Sequence, residues 1–224
     1  MAWSRVSDLV RQLPGGNPAQ WSATLPAGKI ILVVGANRDT AAPTVNSVSH
    51  PAVSSAARVG TAAVALGSTN KDVVDVWELV SGGGSGTFSI SFATAPYFGG
   101  VWGATGGQIA LANDRKEITS STSSWTMVES ATGADHGLAA AFVTLGTSGA
   151  GVSVDPWGEV EDDVPLGTSW HRMVVAATQG SVSGITQTVL VSAGVQTVAA
   201  GRLVLFGGGV SAVANPLMVA RMPL

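Results

Sequence analysis

Few residues in this sequence have the type and spacing that catalysis requires. Asp135-His136 is the only adjacent acid and base, and the other two histidines, His50 and His171, lie in separate segments. Neighbouring residues of a strand point to opposite faces, and no Gly-x-Ser-x-Gly motif supplies a serine nucleophile. We therefore expect no hydrolytic triad, and we assign no catalytic residue.

The acidic cluster of the chain lies between Asp155 and Thr168, a stretch without periodicity that predicts a long irregular loop. Carboxylate oxygens at short spacing could hold calcium, but the order of an EF-hand is absent, and a solvated loop or a contact with a basic neighbour is favoured. The absence of cysteine excludes disulfides and zinc-thiolate sites. We therefore expect no metal and no cofactor. The carboxylates concerned belong to Asp155, Glu159, Glu161, Asp162 and Asp163.

The segment Ile31–Arg38 begins like the first strand and turn of a nucleotide-binding fold, including the short-chain dehydrogenase type. Such folds need further glycines so that backbone amides can approach pyrophosphate. Residues 39–43 provide none, and the single tyrosine, Tyr97, has Val101 where the catalytic lysine would stand. A dinucleotide site is not expected.

Seven tryptophans stand against one tyrosine and five phenylalanines. Trp77 and Trp170 fall in predicted strands and are expected in the core. Trp102, between glycines, and Trp157, in the acidic loop, are expected to be exposed and to contact a partner protein or stack on a sugar. Together with Glu159, Glu161, Asp162 and Asp163 they form the predicted contact residues.

The composition limits the classes of partner. Only 11% of the residues are charged and the net charge is −3, whereas about a quarter of a soluble domain is usually charged, and mean hydropathy is +0.35. A chain with so little positive charge cannot neutralise a phosphate backbone, so nucleic acid is not expected as a partner. No uninterrupted apolar run reaches the roughly 18 residues of a membrane span, and residues 1–8 do not resemble a secretory signal. We expect synthesis and assembly in the cytoplasm, with subunit contacts covering the apolar surface.

Two kinds of periodicity organise the chain. Val6, Leu9, Val10 and Leu13 follow helical spacing and predict a short amphipathic helix over residues 4–13. This helix either packs on its own domain or anchors the chain to a neighbouring subunit.

From Lys29 onward, short apolar and β-branched runs separated by Gly, Ser, Pro and Asn predict an antiparallel two-sheet sandwich. Phe88, Ile90 and Phe92 alternate with hydroxyl residues and are expected on one buried face. Small-residue segments, including Ser81–Gly86, are predicted to be turns. The predicted strands are Ile30–Gly35, Thr44–Ser49, Thr61–Leu66, Val73–Val80, Thr87–Phe92, Trp125–Glu129, Leu138–Leu145, Trp170–Ala177, Ile185–Ser192 and Arg202–Phe206.

Four segments between residues 25 and 93 carry a resemblance to a known family. An Ala-Gly turn into an apolar strand (Ala27–Val34) is followed by a Val-x-Ser-Val strand (Val45–Ser49), a strand with an aromatic residue (Val74–Val80) and a Gly-Thr hairpin into an alternating strand (Gly86–Phe92). This order resembles β-sandwich modules in minor tail and appendage proteins of phages that infect actinobacteria. The resemblance implies a jelly-roll-like sandwich and supplies no catalytic residues.

We therefore expect an all-β, jelly-roll-like sandwich over residues 21–224, preceded by an N-terminal helix and arm over residues 1–20. The expected function is that of a virion structural protein, a minor tail protein, that contacts other virion proteins and copies of itself. A head decoration protein and a glycan-binding module on the particle surface, with host glycan as partner, remain as alternatives.

Overall fold

The computed structural model describes residues 3–106, 109–146, 151–155, 160–164, 166, 170–179, 185–192 and 196–207. These residues form sixteen β-strands and one short 3-10 helix, Ser7–Leu9. The strands are β1 (Ser4–Arg5), β2 (Arg11–Gln12), β3 (Ala19–Arg38), β4 (Val45–Ser49), β5 (Val53–Arg58), β6 (Ala63–Leu66), β7 (Lys71–Phe92), β8 (Phe98–Thr105), β9 (Ile109–Ile118), β10 (Ser124–Glu129), β11 (Ala134–Leu145), β12 (Gly151–Asp155), β13 (Val160–Val164), β14 (His171–Gln179), β15 (Ile185–Ser192) and β16 (Gln196–Gly207).

The strands form three antiparallel sheets. The first has eight strands, with β3 at its centre between β7 and β8, while β4, β5 and β6 pair with β7, and β1 and β2 pair with β8. The second has the order β13-β14-β11-β16-β9, and the third has the order β10-β15-β12. The predicted all-β sandwich is confirmed.

Three hydrophobic cores separate these sheets into layers. In the central core, Val33 and Trp102 of the first sheet pack with Phe142 and Phe206 of the second. A second core fills the other face of the first sheet. A third core lies between the second sheet and the third sheet, to which Trp125 belongs. The first and second sheets are therefore buried on both faces where they pack together, which explains why the second part of β3, residues 30–37, and the strands β11 and β16 are nearly continuously buried rather than alternating.

The long hairpin of β3 and β7 serves two layers at once. In β3, odd positions are buried from residue 19 to 25, whereas every residue from 30 to 37 is buried, with the even apolar positions facing the second core. The change occurs at residues 26–29, where Gly28 takes a φ of 112° and Gly83 on the paired strand takes 81°. Both values favour glycine. The odd-numbered residues of β3 before this point and the even-numbered residues after it can therefore pack into the same core.

The predicted N-terminal helix is wrong. Residues 4–12 form β1, the 3-10 turn and β2, and the backbone amides of Val6 and Leu13 donate to the carbonyls of Gly103 and Gly99 in β8, at 2.8 and 2.9 Å. Val6, Leu9 and Leu13 are buried in the second core, and Val10 packs against the central one. The four apolar residues thus serve two cores of their own chain, which a single helical stripe could not do.

Glycines of β8 provide the space for this arm. A Cβ at Gly99 would lie 2.6 Å from Leu13 Cδ1, and one at Gly103 would lie 2.7 Å from Leu9 Cδ1. An isolated helix of ten residues is marginal in water. Pairing with β8 satisfies backbone groups and buries Leu9 completely, so the extended arm is favoured over the helix.

Trp3 fixes the beginning of the arm to the second sheet. Its indole Nε1 donates to the carbonyl of Thr178 in β14 at 2.7 Å. Its ring also lies about 6 Å, centroid to centroid, from Trp102, His136 and Phe206. The arm therefore bridges the first and second sheets.

The other strand predictions are largely confirmed, with two corrections. The glycine-rich segment 81–86 is not a turn but part of β7, paired with residues 23–28 of β3. Residues 160–164 of the predicted irregular loop form β13, paired with β14. Four of the five residues predicted in the core are buried, namely Phe88, Ile90, Phe92 and Trp77, whereas the fifth, Trp170, is exposed.

Candidate functional site

The predicted contact residue Trp102 is not exposed. It is fully buried in β8, opposite Val33 of β3, and its ring tilts against Trp3. The expectation of an exposed stacking platform is therefore wrong for this residue. The glycines around Trp102 admit the N-terminal arm and do not open the ring to solvent.

The acidic contact residues are placed only in part. Glu161, Asp162 and Asp163 lie in β13, at the edge of the second sheet, and their side chains are outside the described part of the structure, as are Trp157 and Glu159. Trp170, expected in the core, is 48% exposed. It directly precedes β14, so it lies at the end of a strand rather than between two sheets.

The adjacent acid and base do touch, but the imidazole of His136 is enclosed while Asp135 is partly exposed. His136 Nδ1 lies 2.7 Å from Asp135 Oδ1, because a register shift between Ala134 and His136 interrupts the alternation of β11. The imidazole is buried and meets the edge of Trp3 at a centroid distance of 5.6 Å. The pair therefore holds the ring in place beneath the arm, and the arrangement leaves no open face of His136 for a substrate.

A buried polar cluster lies at one end of the central core. Asn37 Nδ2 donates to Asp72 Oδ1 at 2.6 Å, and the Thr144 hydroxyl donates to the same oxygen at 2.9 Å. Asp72 is completely buried, and desolvation raises its pKa from 3.8 to about 7 despite these hydrogen bonds. At neutral pH this carboxyl is consequently poised between its two protonation states.

His171 continues this cluster on the second sheet. It stands directly opposite Thr144 in the β11–β14 ladder and stacks on Phe98 at 4.5 Å. Desolvation lowers its pKa to about 4, so the ring is neutral at physiological pH. Both ring nitrogens, like Asp72 Oδ2, lack a hydrogen-bond partner among the described residues.

A charged cluster lies at another edge of the same core. Arg58 Nε donates to both carboxylate oxygens of Asp75, at 2.9 and 3.1 Å, and its guanidinium lies over the Trp77 ring. Arg202 is buried and donates through Nη2 to the Val59 carbonyl at 2.6 Å. Burial lowers the pKa of Arg202, while Asp75 acts in the opposite direction. The carboxylate of Asp75 thus compensates more than one guanidinium.

Next to this cluster is an open groove of about 390 Å³, bounded by β4, the β5–β6 segment and β9. Guanidinium, hydroxyl, amide and carboxylate groups all reach it. Its polar and charged lining residues are Thr44, Asn46, Arg58, Thr61, Arg115 and Glu117, and its apolar ones are Val45, Ala62 and Val64.

Sequence reasoning did not single out these clusters, although it had a signal for them. Arg202 is an isolated charge in an apolar strand, and Asp75 stands between valines in a strand with a predicted buried face. A buried charge requires partners. The identity of those partners depends on how two sheets pack, which the linear sequence does not contain.

In the described part of the chain, no group of three or more His, Asp or Glu side chains is arranged to hold a metal ion. Within the same residues, no helix has the length and apolarity to cross a membrane. The expected absence of metal, cofactor and catalytic residues stays a prediction. Comparison with known proteins gives no family: the chain matches no family model, no curated protein and no solved structure.

Proposed function

We propose that this protein is a structural subunit of a phage particle, a minor tail protein of a phage that infects actinobacteria. It acts through contacts with copies of itself and with other virion proteins, and it is assembled into the virion in the host cytoplasm. The sequence order from Ala27 to Phe92 supports the proposal by its resemblance to tail and appendage modules.

One observation carries the subunit role. Large apolar side chains remain exposed although three cores are filled, and only 11% of the chain is charged. Ile109 and Leu111 are both exposed at the beginning of β9. Val128 is exposed on β10, and its backbone amide donates to Asp114 of β9. Exposed apolar groups on adjoining strands, with few charges to repel a second copy, favour association.

The edges of the sheets favour contacts between faces over strand addition. The backbone amide of Val64 on β6 donates to Glu117 Oε1, and that of Val128 on β10 donates to Asp114 Oδ2, both at 3.2 Å. An edge amide that already donates a hydrogen bond to a carboxylate cannot pair with the backbone of another strand. We therefore assign the subunit contact to exposed apolar side chains such as Ile109 and Leu111.

The subunit contact can be tested on purified protein by sedimentation velocity over a range of concentrations. We expect the native chain to associate, and the double variant Ile109→Ser, Leu111→Ser to sediment as a monomer. Leu66→Ser is the matched control, because Leu66 is equally apolar and exposed but lies on β6. A native chain that stays monomeric at every concentration would contradict the subunit role.

The place in the particle requires a second experiment. Gold-labelled antibodies against the chain, applied to particles from the same phage, are expected to mark the tail by electron microscopy. Labelling of the head would replace the tail assignment with a head decoration protein. Particles that carry no label and no peptide of the chain in mass spectrometry would refute the virion assignment.

A further inference from the structure

The groove between β4, the β5–β6 segment and β9 combines two guanidinium groups with neutral polar side chains. Arg58 enters it from β5 and Arg115 from β9, while Thr44, Asn46 and Thr61 form its polar rim. Its volume of about 390 Å³ lies in the range of small-molecule sites. These groups suggest a ligand that is both anionic and rich in hydroxyls.

Arg58 is held in a fixed orientation for such a ligand. Its Nε donates to the buried carboxylate of Asp75, its Nη2 donates to the Val45 carbonyl, and its Cζ lies 5.0 Å from the centre of the Trp77 ring. The hydrogen bonds among the described residues use Nε and Nη2 only. The remaining Nη1 can therefore donate to a ligand without breaking the ion pair with Asp75.

Arg115 faces a like charge, and its own charge is not engaged in an ion pair with the described residues. It stands directly opposite Arg202 in the β9–β16 ladder, where two like charges repel. The neighbouring acids are engaged with backbone amides: Asp114 with Arg115 and Val128, and Glu117 with Val64. Arg115 makes no ion pair with the described residues. An anion in the groove would relieve this repulsion.

The lining also restricts the kind of anion. Glu117 would repel a multiply charged phosphate but can accept hydrogen bonds from hydroxyl groups. None of the lining residues is aromatic, so a nucleotide base has nothing on which to stack, while the partly exposed side chain of Val64 can contact the C–H face of a small ring. A carboxylate next to several hydroxyls on a ring of this size is the chemistry of an acidic sugar.

We propose that this groove binds an acidic saccharide, with the ligand carboxylate between Arg58 and Arg115 and the ring hydroxyls on Asn46, Thr61 and Glu117. Such a site goes beyond the structural role proposed above and does not depend on it. A chain that fails to associate, or that is absent from particles, leaves this inference unchanged.

The test is titration of the purified full chain with glucuronate, followed by NMR chemical shifts or calorimetry. Glucose serves as the neutral counterpart with the same ring. We expect saturable binding of glucuronate and at least a tenfold weaker response to glucose, since hydrogen bonds to charged groups contribute about 1.5–3 kcal/mol. Equal binding of glucose and glucuronate, or no saturable binding of glucuronate, would overturn the proposal.

Variants locate the site. Arg115→Gln is expected to weaken glucuronate binding about tenfold or more. The variant should unfold at no lower temperature than the native protein, because Arg115 is exposed and its removal relieves the repulsion from Arg202. Lys116→Gln removes the same charge from the next position of β9, which does not line the groove, and should leave affinity nearly unchanged. Equal losses in the two variants would show nonspecific electrostatics and refute the site.

Inorganic sulfate distinguishes an acidic sugar from a bare oxyanion. Sulfate, which is doubly charged, is expected to bind only weakly beside Glu117. Asn46→Ala is expected to weaken glucuronate binding severalfold and to leave the weak binding of sulfate unchanged, because only the sugar has hydroxyls for the Asn46 amide. If sulfate displaces glucuronate completely and Asn46→Ala affects neither ligand, the groove is an oxyanion site and the saccharide assignment fails.

Discussion

Replacement of Asp72 by asparagine should make this protein more stable at neutral and alkaline pH. The carboxyl group is fully buried, and only Oδ1 accepts hydrogen bonds, from Asn37 and Thr144. Oδ2 has no partner among the described residues. Asparagine keeps the accepting oxygen, carries no charge and places an amino group where Oδ2 lies. The variant therefore removes the burial of a charge while it retains the hydrogen bonds.

The expected magnitude follows from the pKa of Asp72. Burial raises it from 3.8 to about 7, and each tenfold change in proton affinity corresponds to about 1.4 kcal/mol. The folded state binds the proton of Asp72 more tightly than the unfolded state does. The contribution of this proton to stability is therefore complete below pH 3.8, the pKa of Asp72 in the unfolded chain, and it is lost as the pH rises through the folded-state pKa of about 7. The gain from Asp72→Asn should thus reach about 4 kcal/mol at the most near pH 8 and vanish near pH 4.

His171 gives the prediction a second signature. Burial lowers the pKa of His171 from 6.5 in the unfolded chain to about 4 in the folded one. The contribution of the neutral ring to stability is therefore complete above pH 6.5 and is lost as the pH falls through about 4. Between about pH 4 and 6.5 the effects of the two groups oppose each other in the native protein. In the Asp72→Asn variant the effect of Asp72 is gone, while burial still raises the pKa of Asp75. The stability of the variant should therefore rise more steeply, or fall less steeply, with pH over this interval than that of the native protein.

The assay is urea unfolding of both proteins at a series of pH values, followed by tryptophan fluorescence. Asp39→Asn is the matched control, since Asp39 lies exposed in the loop after β3 and the exchange should change the free energy of unfolding by less than about 0.5 kcal/mol. A difference between native protein and Asp72→Asn that is constant from acid to alkaline pH would refute the reasoning, as would a variant that is destabilised throughout.

Further predictions concern the arm and the core, all measured as the free energy of unfolding in urea. Gly103→Ala should destabilise the protein by about 1–3 kcal/mol, because the new Cβ would clash with Leu9. Gly15→Ala is the control and should be neutral, because no atom lies within 4 Å of its new Cβ. Equal effects of the two substitutions would exclude packing as the cause. Leu9→Ala should cost about 2–5 kcal/mol, and an unchanged unfolding midpoint would show that the arm does not contribute to the core. Ile90→Ala should cost a similar amount, while Leu66→Ala, at an exposed position, should stay within about 0.5 kcal/mol; a small effect at Ile90 would place that part of β7 outside the core.

The sequence predicts strands and buried faces where side chains alternate. Phe88, Ile90 and Phe92 were expected on one face and are all buried, because a strand with one solvated face must alternate. The continuous apolar runs were also recognised as strands. Their length alone did not reveal that β3 and β11 are each covered by a core on both faces.

The remaining features depend on contacts between distant segments. Residues 81–86 resemble a linker because they lack large side chains, and they become a strand only by pairing with residues 23–28. The arm has helical spacing by coincidence, and glycines about ninety residues later determine its extended path. The groove likewise joins Arg58 and Arg115 from two sheets, so no local pattern could predict it.

The hydrogen bond from Trp3 to Thr178 has a consequence for biosynthesis. The two residues are 175 positions apart, and a ribosome that adds about 5–20 residues per second needs roughly 10 to 35 s to synthesise the intervening chain. Trp3 therefore leaves the ribosome long before β14 exists, and the arm must wait for its docking surface. Docking of the arm is thus a late event, in which residues made early are among the last to reach their native positions.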